Sequence, residues 1–325
     1  MSDTLPSNQN ETPRDTTSGW IEAGLFVLAI STLNIVYGIA EQAGAHVVVF
    51  VLYATAFAAI GMLVVSGLGK DWRAVIAARQ SWIFGIATVG MEGFYYLLIA
   101  TTTPTEASLL MRVAVPVSIV IGAMMMSRTP NRATTVGCVI VIASVLPVFL
   151  GVETQNLTSA VALTGLCAVI VAIKTFASEF HPWNRAAETT TEKLRVTGLV
   201  VLTTATFGFL ILLPAIALNE TGAIAAGQFV PRASDLFDGT TILLAVLLGA
   251  PILFAMNYLT FSSVVKISTE GFLAMSAFTP FSTLALQLLA ISLGAMIAPD
   301  FPLWLVPPAL LGVIGVLLII RARKR

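Results

Sequence analysis

The sequence predicts an all-α integral membrane protein of ten transmembrane helices, arranged as two inverted five-helix repeats. Three observations predict it. Of 325 residues, 57% are hydrophobic and only 10% charged, with a mean hydropathy of +0.92, which sets the chain apart from soluble globular domains. Lys and Arg concentrate in alternate connections between the apolar windows. A stretch at 105–118 recurs, altered at its centre, at 269–282.

A spanning helix needs roughly 20 mostly apolar residues. Such windows lie at about 20–41, 44–66, 82–101, 104–127, 133–152, 158–180, 195–218, 239–262, 267–294 and 302–321. The ninth is long enough to tilt or to include an interfacial turn. The opening "MSDTLPSNQNETPRDTTS" has neither an apolar core nor a basic start, so residues 1–19 read as a disordered cytoplasmic tail and not as a signal peptide. Residues 20–152 form the first repeat, 158–321 the second, and 322–325 a basic cytoplasmic end. The longest connection, Asn219 to Asp238, is too short for a separate domain, so function must reside inside the bundle. Cys138 and Cys167 fall within apolar windows and read as packing residues.

With ten windows the connections alternate sides, and 14 of the 17 basic residues fall on one side. Arg232 alone falls on the other, while Arg112 and Lys174 lie within windows. The positive-inside rule then predicts cytoplasmic N- and C-termini in an inner or plasma membrane. The formal net charge of zero conceals this asymmetry.

The repeated stretches are "TEASLLMRVAVPVS" and "TEGFLAMSAFTPFS". At an offset of 164 they share Thr105 with Thr269, Glu106 with Glu270, Leu109 with Leu273, Met111 with Met275, Pro116 with Pro280 and Ser118 with Ser282. The first opens the fourth window and the second the ninth. Five windows separate them, and an odd number inverts the unit. Inverted repeats build many secondary transporters around a site at the midplane. This layout, with the glycine-bearing "TTVGCVIVIASVLPVFLGV" and "VPPALLGVIGVLLIIRARKR" closing the two halves, resembles the drug/metabolite transporter superfamily, specifically its EamA-like members. The resemblance implies a transporter fold and an exporter. One departure is "MSRTPNR" after the fourth window, where many such proteins carry a Gly-Glu-Arg-like sequence.

Arg112 is the conspicuous residue, because an arginine at the centre of a spanning helix costs about 2.5–3.5 kcal/mol on insertion scales. Glu92 and Arg112 stand at similar distances from the hairpin at 102–103, each about 14 Å below the surface at 1.5 Å per residue. Two readings follow. In one, they form a buried ion pair that fixes the hairpin. In the other, Arg112 grips a substrate carboxylate or phosphate through its bidentate fork while Glu92 exchanges a proton. Tyr95 and Tyr96 share the Glu92 face, and Asn257, Tyr258, Ser276 and Gln287 supply hydrogen-bonding groups from the second half. Lys174 is expected to snorkel toward the cytoplasmic interface without meeting substrate. Met124 to Met126 read as packing or lipid-facing.

Walker-type loops, metal-site spacings and hydrolase motifs are missing from the sequence. The chain is therefore expected to be no enzyme, to need no cofactor or metal, and to bind no nucleic acid. The expected function is secondary active transport by alternating access, with export of a small polar metabolite or amino-acid-like compound. Its partners would be that small-molecule substrate, the lipid bilayer, and protons or a counter-substrate. The rivals are a non-transporting accessory subunit or membrane enzyme and, within the class, an uptake permease.

Overall fold

The computed structural model describes residues 16–102, 104–227, 229–295 and 303–323, and all regular elements among them are helical. They are α1 (Thr16–Gln42), α2 (Val47–Ser66), α3 (Trp72–Ala77), α4 (Arg79–Thr101), α5 (Pro104–Leu110), α6 (Ala114–Met126), α7 (Arg132–Gly151), α8 (Thr154–Glu179), α9 (Pro182–Ala186), α10 (Thr190–Glu220), α11 (Gly239–Leu244), α12 (Ala250–Ser276), α13 (Thr279–Ser292) and α14 (Val306–Arg323). Residues 16–19 of the predicted tail are helical; residues 1–15, with Lys324 and Arg325 of the basic end, lie outside the described residues.

Eight helical stretches are long and apolar enough to cross a membrane, and two shorter apolar helices cover Thr279–Ser292 and Val306–Ala322. The chain is a multi-pass, all-α membrane protein. Its outward surface fits that setting: Met124, Leu150 and Val64 are 81%, 84% and 79% exposed, and large apolar side chains so presented need a lipid surface. Thr16 and Ala322 border one depression together with Arg128 and Lys266, which defines a tail end of the bundle. At the far end, the His46 N–H donates to Thr241 Oγ1 at 3.2 Å.

Two helices break inside the bundle. Between α5 and α6 the chain tightens into a 3-10 turn at Met111–Val113, and α12 stops at Ser276 before α13 starts at Thr279. Shifted by 164, the first break falls at 275–277 and meets the second, at 277–278. Their cause is local: Pro116 and Pro280 have no N–H to donate to the carbonyls of Arg112 and Ser276, four residues earlier, and their rings crowd those oxygens. Thr279 Oγ1 takes the Ser276 carbonyl instead, at 2.6 Å. The Phe281 N–H bonds Phe278 O at 3.1 Å, which leaves the Ala277 carbonyl open to another partner.

The connection expected near residues 263–266 is helical, and the turn is confined to Ser268 (φ 67°, ψ 162°) within α12. Lys266 pairs with Glu22 of α1 at the tail end, Nζ to Oε1 2.5 Å, and beyond Ser268 the chain heads back toward the break. A side chain with φ in this region is strained, and the strain permits reversal without a loop. Close backbone approach joins α7 to α14. A Cβ on Gly137 would lie 2.7 Å from the Gly315 carbonyl oxygen, and one on Gly315 would lie 2.8 Å from that of Gly137. Small residues at such crossings let apolar helices gain dispersion contact where lipid gives no hydrophobic drive.

Candidate central site

The two breaks border a cavity of about 130 Å³, walled also by α1, α4 and α8. Glu92, Tyr95, Arg112 and Ser276 line it, as do Asn34, Tyr37 and Lys174. A second chamber of about 10 Å³ lies beside it, sharing Glu92 and Lys174 and adding Thr88 and Asn257.

The structure does not form the Arg112–Glu92 ion pair of the first reading. Arg112, 2% exposed, donates from Nε to Ala277 O at 3.0 Å and from Nη1 to Ala309 O at 2.7 Å. Its guanidinium lies over Phe281, 5.4 Å from the ring centroid, and Gly312 makes room for it, since a Cβ there would strike Nη1. Nη2 has no partner among the described residues. Depth along a helix placed Arg112 and Glu92 at one level but said nothing of azimuth, and the 3-10 turn rotates Arg112 toward α13 and α14. Once α12 has stopped, the Ala277 carbonyl needs a donor, and Arg112 supplies it. The arginine in the first break thus satisfies the second.

Glu92 accepts a hydrogen bond from Tyr37, Oη to Oε2 3.1 Å. Asn34 is one turn before Tyr37 on α1 and donates from Nδ2 to Thr283 Oγ1 of α13 at 3.4 Å. Neither was singled out from sequence, although polar residues three apart in an apolar helix mark one face.

Lys174 does not snorkel toward the tail end. It borders both cavities, with Nζ 5.2 Å from the Phe84 ring centroid of α4. The reason is directional: helical side chains lean toward the N-terminus of their helix, and α8 ends at the tail-end cluster of Glu179, so Lys174 leans inward.

The other candidates divide. Tyr95 faces the cavity, and Ser276 does so while its Oγ donates to Leu273 O at 2.7 Å. Asn257 donates from Nδ2 to Leu253 O at 2.8 Å and borders the smaller chamber only. Tyr258 is half-buried outside both linings. Gln287 is buried away from the cavity, where its Oε1 accepts from Thr105 Oγ1 at 3.3 Å and ties α13 to α5. The Tyr96 side chain lies outside the described residues.

A cluster that the sequence reading missed closes the tail end. Ser127, at φ 53°, ends α6 and turns Arg128 back onto the bundle. Arg128 Nη2 meets Glu179 Oε1 at 2.6 Å, and Nη1 meets Glu270 Oε2 at 2.9 Å. Glu179 Oε2 also accepts the Thr269 N–H at 2.8 Å. The acid that "MSRTPNR" lacks beside Arg128 is therefore supplied from α8 and α12.

No protein-family model matches the chain, and no curated protein matches it. In fold, 25 chains of solved structures match. One, described as "Crystal structure of protein", superposes with a TM-score of 0.62 at 17% identity, over 96% of this chain and 100% of its own. That likeness extends to the fold of essentially the whole chain.

Proposed function

We propose that the chain is a secondary active transporter that carries a small polar or amino-acid-like metabolite, in the direction of export, by alternating access. On this reading ten segments cross an inner or plasma membrane in two inverted halves, both termini are cytoplasmic, and the chain is an EamA-like member of the drug/metabolite transporter superfamily. The observation that carries the proposal is the pair of register-matched helix breaks on one cavity that also holds Glu92 and Lys174. Discontinuous helices expose backbone groups and charges at mid-bundle, and membrane proteins tolerate this where a cavity is lined.

Glu92, Tyr95 and Ser276 face the bound metabolite, Tyr37 orients Glu92, and Arg112 braces the wall. The test is exchange of a labelled metabolite extract in liposomes containing the purified chain. Wild-type protein should accumulate one class of label, and Glu92→Gln, recovered monodisperse, should slow that exchange by about tenfold or more, as loss of one charge-assisted hydrogen bond implies. Exchange at the wild-type rate in Glu92→Gln would discard this site. Absence of any exchange across the extract would discard transport.

A further inference from the structure

The central cavity is lined by one carboxylate, Glu92, and two cations, Arg112 and Lys174. Arg112 is committed to the carbonyls of Ala277 and Ala309. Lys174 is not committed. Among the described residues its Nζ has neither a hydrogen bond nor an ion pair, and it lies over the face of Phe84. Glu92 accepts from Tyr37 on Oε2, while Oε1 accepts from none of the described residues. The two opposite charges thus share one space without direct contact.

They also share the smaller chamber. Its volume of about 10 Å³ is near that of a single water site. Its wall includes Thr88, whose buried Oγ1 has no partner among the described residues, and Asn257. A lysine ammonium on four rotatable bonds can serve two positions. It can lean toward Glu92 in the main cavity, or withdraw along Phe84 toward Thr88 and Asn257.

We propose that Lys174 is a tethered ammonium ligand of Glu92, so that the subsite takes a primary ammonium group and an incoming substrate ammonium must displace Lys174 toward the chamber. This rests on the transport reading and identifies the cationic end of its substrate. Two ammonium groups beside one carboxylate repel each other, so they compete for Glu92. With Lys174 on Glu92 the two charges cancel, and with Lys174 withdrawn along Phe84, as the structure holds it, a substrate of zero net charge keeps the sum the same. A substrate bearing both an ammonium and a carboxylate meets that condition, because the withdrawn Lys174 keeps its charge near the cavity wall.

The experiment titrates methylammonium chloride against the thermal-unfolding midpoint of the full chain, with sodium chloride as the ionic-strength control. Wild type is compared with Lys174→Ala, Lys174→Met, Glu92→Gln and the Lys174→Ala/Glu92→Gln double variant. If Lys174 holds the subsite nine-tenths of the time, removing it should lower the half-saturating methylammonium concentration by about tenfold. The saturable shift should vanish in both Glu92→Gln backgrounds. Lys174→Met preserves side-chain bulk and gives the same comparison if Lys174→Ala folds poorly. Equal half-saturation in wild type and both Lys174 variants, a shift that persists without Glu92, or no saturable shift beyond that of sodium chloride would each overturn the proposal. The assay measures no flux, so a Glu92-dependent shift in a protein that exchanges nothing would keep the subsite and discard only transport.

Discussion

At the scale of single residues, the side chain that draws the eye in the sequence acts as a brace between helices. Arg112 spans the first break and reaches the carbonyls of Ala277 and Ala309, so its planar fork matters more than its charge. Lysine at this position keeps the charge but cannot reach both carbonyls, and hydrogen bonds to a charged group contribute about 1.5–3 kcal/mol each. Arg112→Lys should therefore lower the thermal-unfolding midpoint by the equivalent of about one such bond, while KM for the exchanged metabolite stays within about twofold of wild type, because the lost bond is not to substrate. A large rise in KM at unchanged stability would instead make Arg112 a substrate ligand. The sequence revealed that Arg112 had to have partners. It could not reveal which, because those partners are backbone oxygens, one of them exposed only by the second break.

At the scale of elements, the first seven windows of hydropathy fall on long apolar helices, whereas the eighth and ninth meet in one helical stretch, Gly239–Ser276, and the tenth falls on a shorter helix. The breaks were not read, although Pro116 and Pro280, noted as matched residues of the repeat, carry their cause. What one dimension withholds is azimuth. Lys174 was assigned to an interface because distance along α8 allowed it, whereas the lean of its side chain sends it toward Phe84. The turn at Ser268 was read slightly early, as a connection at 263–266, because no Gly or Pro marks its place. Ser268 holds φ 67° and ψ 162°, a region where side chains cost about 1–3 kcal/mol. Ser268→Val adds a β-branch there and should lower the thermal midpoint and folded yield by a similar amount, whereas Ser268→Gly should fold at least as well as Val by the same scale. Equal midpoints for the two variants would show that the reversal is set elsewhere.

At the scale of the whole molecule, Arg128, Glu179 and Glu270 hold α6, α8 and α12 together at the end of the bundle near Thr16 and Ala322. The three residues are far apart in sequence, so no local pattern signals them. Glu179 and Glu270 are buried while Arg128 is 30% exposed, so the attraction is only partly screened. Loss of about 1.4 kcal/mol of closure corresponds to a tenfold shift in population. Arg128→Gln should therefore speed the reaction of a Ser276→Cys reporter with a membrane-impermeant maleimide by about that factor, when Cys138 and Cys167 are both replaced by Ala. An unchanged labelling rate would remove the cluster from any gating role.

The reversal at Ser268 bears finally on where the polypeptide can be cut. A hairpin made by one residue between helical turns offers a protease no extended strand to grip, and its backbone is held by the Thr269 bond to Glu179. The connection from residue 221 to 238 is by contrast long and mostly non-helical. A nick there would leave two fragments clasped through α12 on α1 and α14 on α7, so the molecule can be severed in the covalent sense and still be one object.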